Sequence, residues 1–206
     1  MKHIFIGDIH GKAEIVEEAL QRDGLKVFVG DFLDSFDRSV DNQIHALTLA
    51  LDAVDKGVAK VIFGNHELSY LMPQQHRCSG YKAATEAHII HLKERMWKTM
   101  IPFLKLPDNF IVTHAGIHPK VLSHLDEQEF ANTFSPLHWI GHSRGGSAKV
   151  GGIFWCDFNK EFTPIEGVNQ IFGHTAKGGR GGIRRIGNNY CIDCLDHKVE
   201  FLELDL

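Results

Sequence analysis

Asp8 and His10 follow a short apolar run in KHIFIGDIHG (2–11), and the same kind of unit recurs down the chain. KVFVGDFLD (26–34) brings Asp31 and Asp34, and AKVIFGNHE (59–67) brings Asn65, His66 and Glu67. NFIVTHAG (109–116) carries His114, and NQIFGHT (169–175) carries His174. Any one unit is weak, because a lone His on an apolar run is ordinarily a packed core imidazole. Five in succession point to a metal site. Mixed imidazole and carboxylate ligands suit Mn, Fe or Zn, and one shared carboxylate can bridge two ions. Asp8, His10, Asp31, Asn65, His114 and His174 are about the number needed for two divalent metals.

The elements that must position these groups follow from the same segments. Short continuous apolar runs bounded by Gly read as strands buried on both faces. Helical spacing appears in AEIVEEALQ (13–21) and in VDNQIHALTLALDAVDKG (40–57), where Gly57 suits a C-cap. The β-α-β-α-β order over 2–64 predicts parallel strands joined by crossover helices, with polar ligands at the strands' C-terminal ends. Residues 68–106 read as a helical, cap-like insertion near the site, and NNYCIDCLDHKVEFLELDL reads as a closing hairpin.

Composition sets the remaining bounds. With 206 residues a single domain over 1–206 is expected, and a net charge of −4 argues against a nucleic-acid surface. No apolar run is long enough to span a bilayer and the N-terminus is too short in apolar length for a signal peptide, so a cytoplasmic protein without a membrane partner is expected. Nothing in the residues sets an oligomeric state. Cys78, Cys156, Cys191 and Cys194 are expected to be inert buried thiols, since the one CxxC is flanked by strand rather than by a turn into a helix. His88 and His91 read as surface or packing imidazoles, while His118, His138 and His142 leave a rim role open. RGGIRR (180–185) reads as a solvated loop, with an anion-binding rim as the alternative.

GDIHG (7–11), GDFLD (30–34), GNHE (64–67), THAG (113–116) and GHT (173–175), in that order, resemble the calcineurin-like metallophosphoesterases. The branch most similar is that of the phosphoprotein phosphatases, including small bacterial and viral serine/threonine phosphatases. The resemblance implies an α/β fold, a four-layer αββα sandwich. It implies that Asp8 and His10 bind one ion, that Asp31 bridges, and that Asn65, His114 and His174 bind the other. His66 would protonate the leaving group, Asp34 would orient His66, and Glu67 would support the ligands from behind. The implied chemistry is hydrolysis of a phosphoester by a metal-bridging hydroxide. The ions would be two Mn²⁺, with Fe, Zn or Mg as alternatives.

Two departures concern the phosphate clamp. The family's GDxVDRG pattern has Arg directly after its second Asp, whereas Ser35 stands here and the next Arg is Arg38. Arg38 is the expected catalytic clamp, with a surface ion pair to Asp37 or Asp41 as the alternative. A second family Arg lies near a Trp-containing stretch like GGIFWCDFNKEF (151–162), where Asp157 stands instead, so Arg144 is the expected substitute. The substrate is a phosphorylated molecule, with a phosphoprotein as the first expectation. A symmetrical dinucleoside polyphosphate such as diadenosine tetraphosphate is the alternative. A non-catalytic scaffold would have shed ligands or His66, and all are present.

Overall fold

A computed structural model describes residues 1–176, 181–196 and 198–206. Two β-sheets pack face to face, which agrees with the α/β sandwich expected. The first has the order β3-β2-β1-β9, formed by β1 (Lys2–Ile6), β2 (Leu25–Phe28), β3 (Ala59–Val61) and β9 (Leu202–Asp205). Strands β1, β2 and β3 are parallel, with Phe5 opposite Val27 and Val27 opposite Lys60, while β9 runs antiparallel to β1. The second sheet has the order β4-β5-β6-β8-β7, from β4 (Leu104–Lys105), β5 (Phe110–Val112), β6 (Asn169–Phe172), β7 (Arg184–Ile186) and β8 (Asn189–Cys191). Its three central strands β5, β6 and β8 are parallel.

The central strands are largely apolar because alternate residues enter different cores. Phe5, Val27, Val29 and Ile62 meet Phe110, Val112, Ile171 and Ile192 between the sheets. Their neighbours Ile4, Ile6, Phe28 and Val61 face the helices instead. Helix α1 (Ala13–Leu20) turns Ile15, Val16 and Ala19 inward, and α2 (Val40–Asp55) turns Ala46, Leu47, Ala50 and Leu51 inward. Ser39 caps α2 by accepting the Asn42 N–H at 3.2 Å, and Gly57 just beyond its end has φ 73°. The outer face of the second sheet is covered mainly by aperiodic chain. There Phe158 and Phe162 lie on Phe172 with ring centroids 5.6 and 4.8 Å away.

The insertion is helical, as α3 (Asn65–Leu71), α4 (Ala83–Ile89) and α5 (Lys93–Thr99), but α4 and α5 pack beside α2 in the outer helical layer. Of residues 68–106, those that line the cleft described below are Arg77, Cys78 and Ser79, while Asn65 and His66 at the start of α3 also line it. The C-terminal tail is not the hairpin expected. Its two strands join different sheets, β8 beside β6 and β9 beside β1, and the hairpin is β7–β8. Arg180 of RGGIRR lies outside the described residues.

Candidate metal centre

Every parallel strand of both sheets sends a polar group to the same edge. Asp8 lies two residues past β1, Asp31 three past β2, His114 two past β5 and His174 two past β6, while Asn65 opens α3 after β3. These side chains, with His10 and His66, stand at or beneath a cleft of about 930 Å³. The turns that carry them are tight. His10, Asp31, Asp34 and His174 all have left-handed backbone, at φ 43°, 54°, 60° and 67°. Asp and His tolerate this region better than most residues, yet each such residue costs roughly 1–3 kcal/mol and persists only where its surroundings hold it.

Glycines make the close approaches possible. A Cβ on Gly64 would sit 2.2 Å from Asp31 Oδ1, and one on Gly173 would sit 2.0 Å from Asp8 Oδ1. Glu67 then locks the Asp31 turn. It is fully buried, and its Oε2 accepts the N–H of Asp31 at 2.7 Å and of Gly64 at 3.1 Å. Its Oε1 accepts the N–H of Phe32 at 2.8 Å and of Leu33 at 3.2 Å. Burial, reinforced by the charge of Asp31, pushes the Glu67 carboxyl up to about 7.

Two groups of ligand atoms converge and share Asp31: His10, Asp31 and His66, and Asp31, His114 and His174. The second group gathers acceptors that either a proton on His114 or a cation satisfies; burial pulls the His114 imidazole down, but the Asp31 carboxylate outweighs it and raises it above its ordinary value. His114 Nδ1 donates to the Val29 carbonyl at 2.7 Å, which leaves Nε2 as a bare lone pair in the neutral ring. That lone pair faces Asn65 Oδ1 at 2.7 Å and Asp31 Oδ2 at 3.3 Å, both acceptors. The Asn65 side-chain Nδ2 is turned the other way and donates to Cys78 Sγ at 3.1 Å. The Cys78 thiol in turn donates to the Asn65 carbonyl at 3.2 Å. His174 Nδ1 joins the cluster, 2.9 Å from Asn65 Oδ1. Burial, with His114 and Arg144 nearby, holds His174 well below the usual imidazole range, which favours the neutral ring, and its buried Nε2 has no partner among the described residues. Such a set of lone pairs fits a divalent cation.

The other half is arranged differently. His10 Nδ1 bonds the Leu33 carbonyl at 3.0 Å, and its Nε2 lies 4.0 Å from Asp31 Oδ2. Asp8 accepts the His174 N–H at 3.0 and 3.1 Å on its two oxygens and stands outside both convergent groups. Burial raises its carboxyl well above the usual range, helped by the charges of Asp193 and Asp31. His66 Nδ1 lies 2.8 Å from Asp34 Oδ2 and its Nε2 lies 3.9 Å from Asp31 Oδ2. Tyr70 donates its hydroxyl to Asp34, and Gln43 Oε1 accepts the Asp34 N–H at 2.8 Å. Burial pulls His66 down, but Asp31 and Asp34 outweigh it and raise the imidazole to about 9.

A family model for the calcineurin-like phosphoesterases matches residues 1–178. The chain belongs to the calcineurin-like phosphoesterases. As a member of that family it is a metal-dependent phosphoesterase, and its convergent His and Asp groups supply candidate metal sites. Among solved structures the phosphoesterase fold is similar to a protein serine/threonine phosphatase from Saccharomyces cerevisiae, with a TM-score of 0.57 and 15% identity. That match covers 94% of this chain and 67% of the yeast chain. A metallophosphoesterase from Sphaerobacter thermophilus matches at a TM-score of 0.32 and 14% identity, over 66% of this chain and 57% of that one. No curated protein sequence matches.

The two expected clamp arginines sit in different places. Arg144 lines the cleft beside His174, donating to Thr175 Oγ1 at 3.1 Å, with its Nε 3.2 Å from Asp157 Oδ2. Arg38 does not line the cleft. Its Nη2 pairs with Glu14 at 2.6 Å and its Nε lies 3.9 Å from Asp37, a surface pairing in which Glu14 takes the place expected of Asp41. None of His118, His138 and His142 lines the cleft either. All four cysteines are free and buried. No helix of the described residues is long and apolar enough to cross a membrane.

Asp193 and Arg77 line the cleft without having stood out in the sequence. Asp193 lies two residues past β8, the offset that Asp8, His114 and His174 share. Its unit was hidden because Ile192 stands where the other runs have Gly or Thr. Burial, and then the charges of Asp31 and Asp196, raise its carboxyl to about 7.

Proposed function

We propose that this chain is a dinuclear phosphoester hydrolase of the serine/threonine protein-phosphatase type. Asp8, His10 and Asp31 would hold one ion, and Asp31, Asn65, His114 and His174 the other. Mn²⁺ is the ion first expected. When bound, the ions supply Lewis-acid activation of water and neutralise charge on the phosphoryl oxygens.

The observation that carries this reading is the His66–Asp34 pair at 2.8 Å, set beside the carboxylate that both ligand groups share. Asp34 fixes the Nδ1–H tautomer and leaves Nε2 facing Asp31 and the cleft, where it can hold a proton for a departing oxygen. Tyr70 and Gln43 keep Asp34 from turning. A cation held at Asp31 would draw the His66 imidazole back from about 9 toward neutral pH, where a general acid works best. Arg144 is the phosphate clamp in this reading, since Arg38 would first have to leave Glu14. The fold likeness to a protein serine/threonine phosphatase supports the substrate class.

One observation favours a nucleotide instead. Phe36 is 95% exposed and stands at the cleft, a position from which an aromatic ring can stack on a base. The deciding experiment is metal-stripped protein with Mn²⁺ added back, assayed on a phosphomonoester, a phosphopeptide and a dinucleoside tetraphosphate. Preference for the phosphopeptide supports the protein-phosphatase reading. Preference for the dinucleotide moves the assignment to a polyphosphate hydrolase, and no metal-dependent turnover would overturn both.

A further inference from the structure

Arg77 is presented to the cleft by two buried neighbours. On one side His76 is fully buried, accepts the Trp155 indole N–H on Nδ1 at 2.8 Å and meets His138 Nδ1 through Nε2 at 2.8 Å. On the other side Cys78 is buried against Asn65, bonded to it in both directions. With 76 and 78 pinned inward, the side chain between them is exposed and lines the cleft with Phe36 and Ser79.

The same segment wraps the proton-donor pair. A Cβ on Gly80 would stand 2.6 Å from Asp34 Cβ, so the chain there touches the residue that orients His66. The Arg77 guanidinium lies 5.5 Å from the Tyr81 ring centre, and Tyr81 stacks on Tyr70 at 4.9 Å. Tyr70 is the donor to Asp34. Arg77 therefore sits on the His66 side of the cleft, while Arg144 sits on the His174 side. Arg144 has Asp157 nearby, whereas the Arg77 guanidinium lies over the Tyr81 ring and makes no ion pair among the described residues. A cleft-facing guanidinium without a counter-charge is a ready partner for an anion.

We propose that Arg77 is a specificity residue that binds a second anionic group, one carried by the leaving group beyond the scissile phosphoryl. It rests on the phosphoesterase reading above and on His66 as the leaving-group donor. The anion has two sources in the substrates already named: an acidic side chain flanking a phosphorylated residue, or a further phosphate of a polyphosphate chain.

The test compares kcat/KM of the Mn²⁺-loaded wild type with that of Arg77→Ala, Arg77→Lys and Arg77→Glu. The substrates are an aryl phosphate with an uncharged leaving group, two phosphopeptides with acidic and neutral flanks, and a dinucleoside tetraphosphate. Arg77→Ala should lower kcat/KM for an anion-bearing substrate about tenfold more than for the aryl phosphate, the scale of one charge-assisted contact. Arg77→Glu should widen that gap and Arg77→Lys should narrow it. The peptide pair and the dinucleotide tell the two sources apart. Equal losses on all substrates, or no change on any, would overturn the assignment while leaving the phosphoesterase reading intact. A wild type inactive even on the aryl phosphate would remove that reading and this one together. Melting temperature and metal content check each variant, and Arg77→Lys serves if Arg77→Ala does not fold.

Discussion

The Glu67 carboxylate reaches the backbone of Asp31 at 2.7 Å, so the residue shared by both ligand groups is held by a buried anion behind it. Glu67 accepts four backbone N–H groups in all, from Asp31, Phe32, Leu33 and Gly64. The left-handed turn at Asp31 exists because those donors converge on one side chain. Replacing Glu67 by Ala should strand them, at roughly 1–3 kcal/mol for each buried donor left unpaired. Metal affinity should fall about 10- to 100-fold along with melting temperature, as for other supports of metal ligands. Unchanged metal content after dialysis would show that the turn stands without Glu67.

A single Asp31 oxygen reaches both ligand groups, Oδ2 at 3.3 Å from His114 Nε2 and 4.0 Å from His10 Nε2, while Oδ1 accepts the His66 backbone N–H at 3.1 Å. Asp31→Asn should therefore weaken both ions together, read as metal stoichiometry against free Mn²⁺. Loss of a single ion would argue that Asp31 serves one site and not both.

His66 tests the proton donor apart from the metals. His66→Asn should keep its metal content while turnover of an alkyl phosphoester falls by about 10² or more. A nitrophenyl ester, whose leaving group needs no proton, should lose far less. His66 Nε2 lies as near to Asp31 as His10 Nε2 does, so a drop in metal content would recast His66 as a ligand.

His76 predicts an acid-sensitive stability. Burial, with His138 beside it, pushes its imidazole down from 6.5 to about 3. The unfolded chain binds the proton first, so acid favours unfolding. This contribution is complete above pH 6.5 and is lost progressively as pH falls from 6.5 toward 3. Its size is on the order of several kcal/mol. Urea midpoints measured across that range should slope less steeply in His76→Gln than in the wild type; equal slopes would place the acid lability elsewhere.

How much of this could be read from the residues depends on whether their meaning is local. The strands β1, β2, β3, β5 and β6 and the helices α1 and α2 follow from runs and spacings a few residues long. The ligand candidates stand out because each follows such a run at nearly the same offset. Asp193 obeys the same offset past β8 but is hidden, because β8 reads NYC and Ile192 stands where the other runs have Gly or Thr. The tail failed for a different reason. Two strands close in sequence usually pair, but β8 and β9 each found a better partner in a different sheet, and which edge is open is a property of the assembled fold.

By its own residue types and spacing, the chain determines six metal-ligand candidates in the segments that follow its strands, while the phosphoester chemistry and the roles of His66 and Asp34 come from its resemblance to the calcineurin-like phosphoesterases. Tertiary structure alone decides which cations serve them. Arg38 and Arg144 look alike in sequence, yet one pairs with Glu14 on α1 and the other lines the cleft beside His174. Arg77, inside a stretch that reads simply as helical, faces the same cleft. A long flexible side chain goes where a counter-charge or an open wall meets it, and the residues that form that wall are brought there from distant parts of the chain.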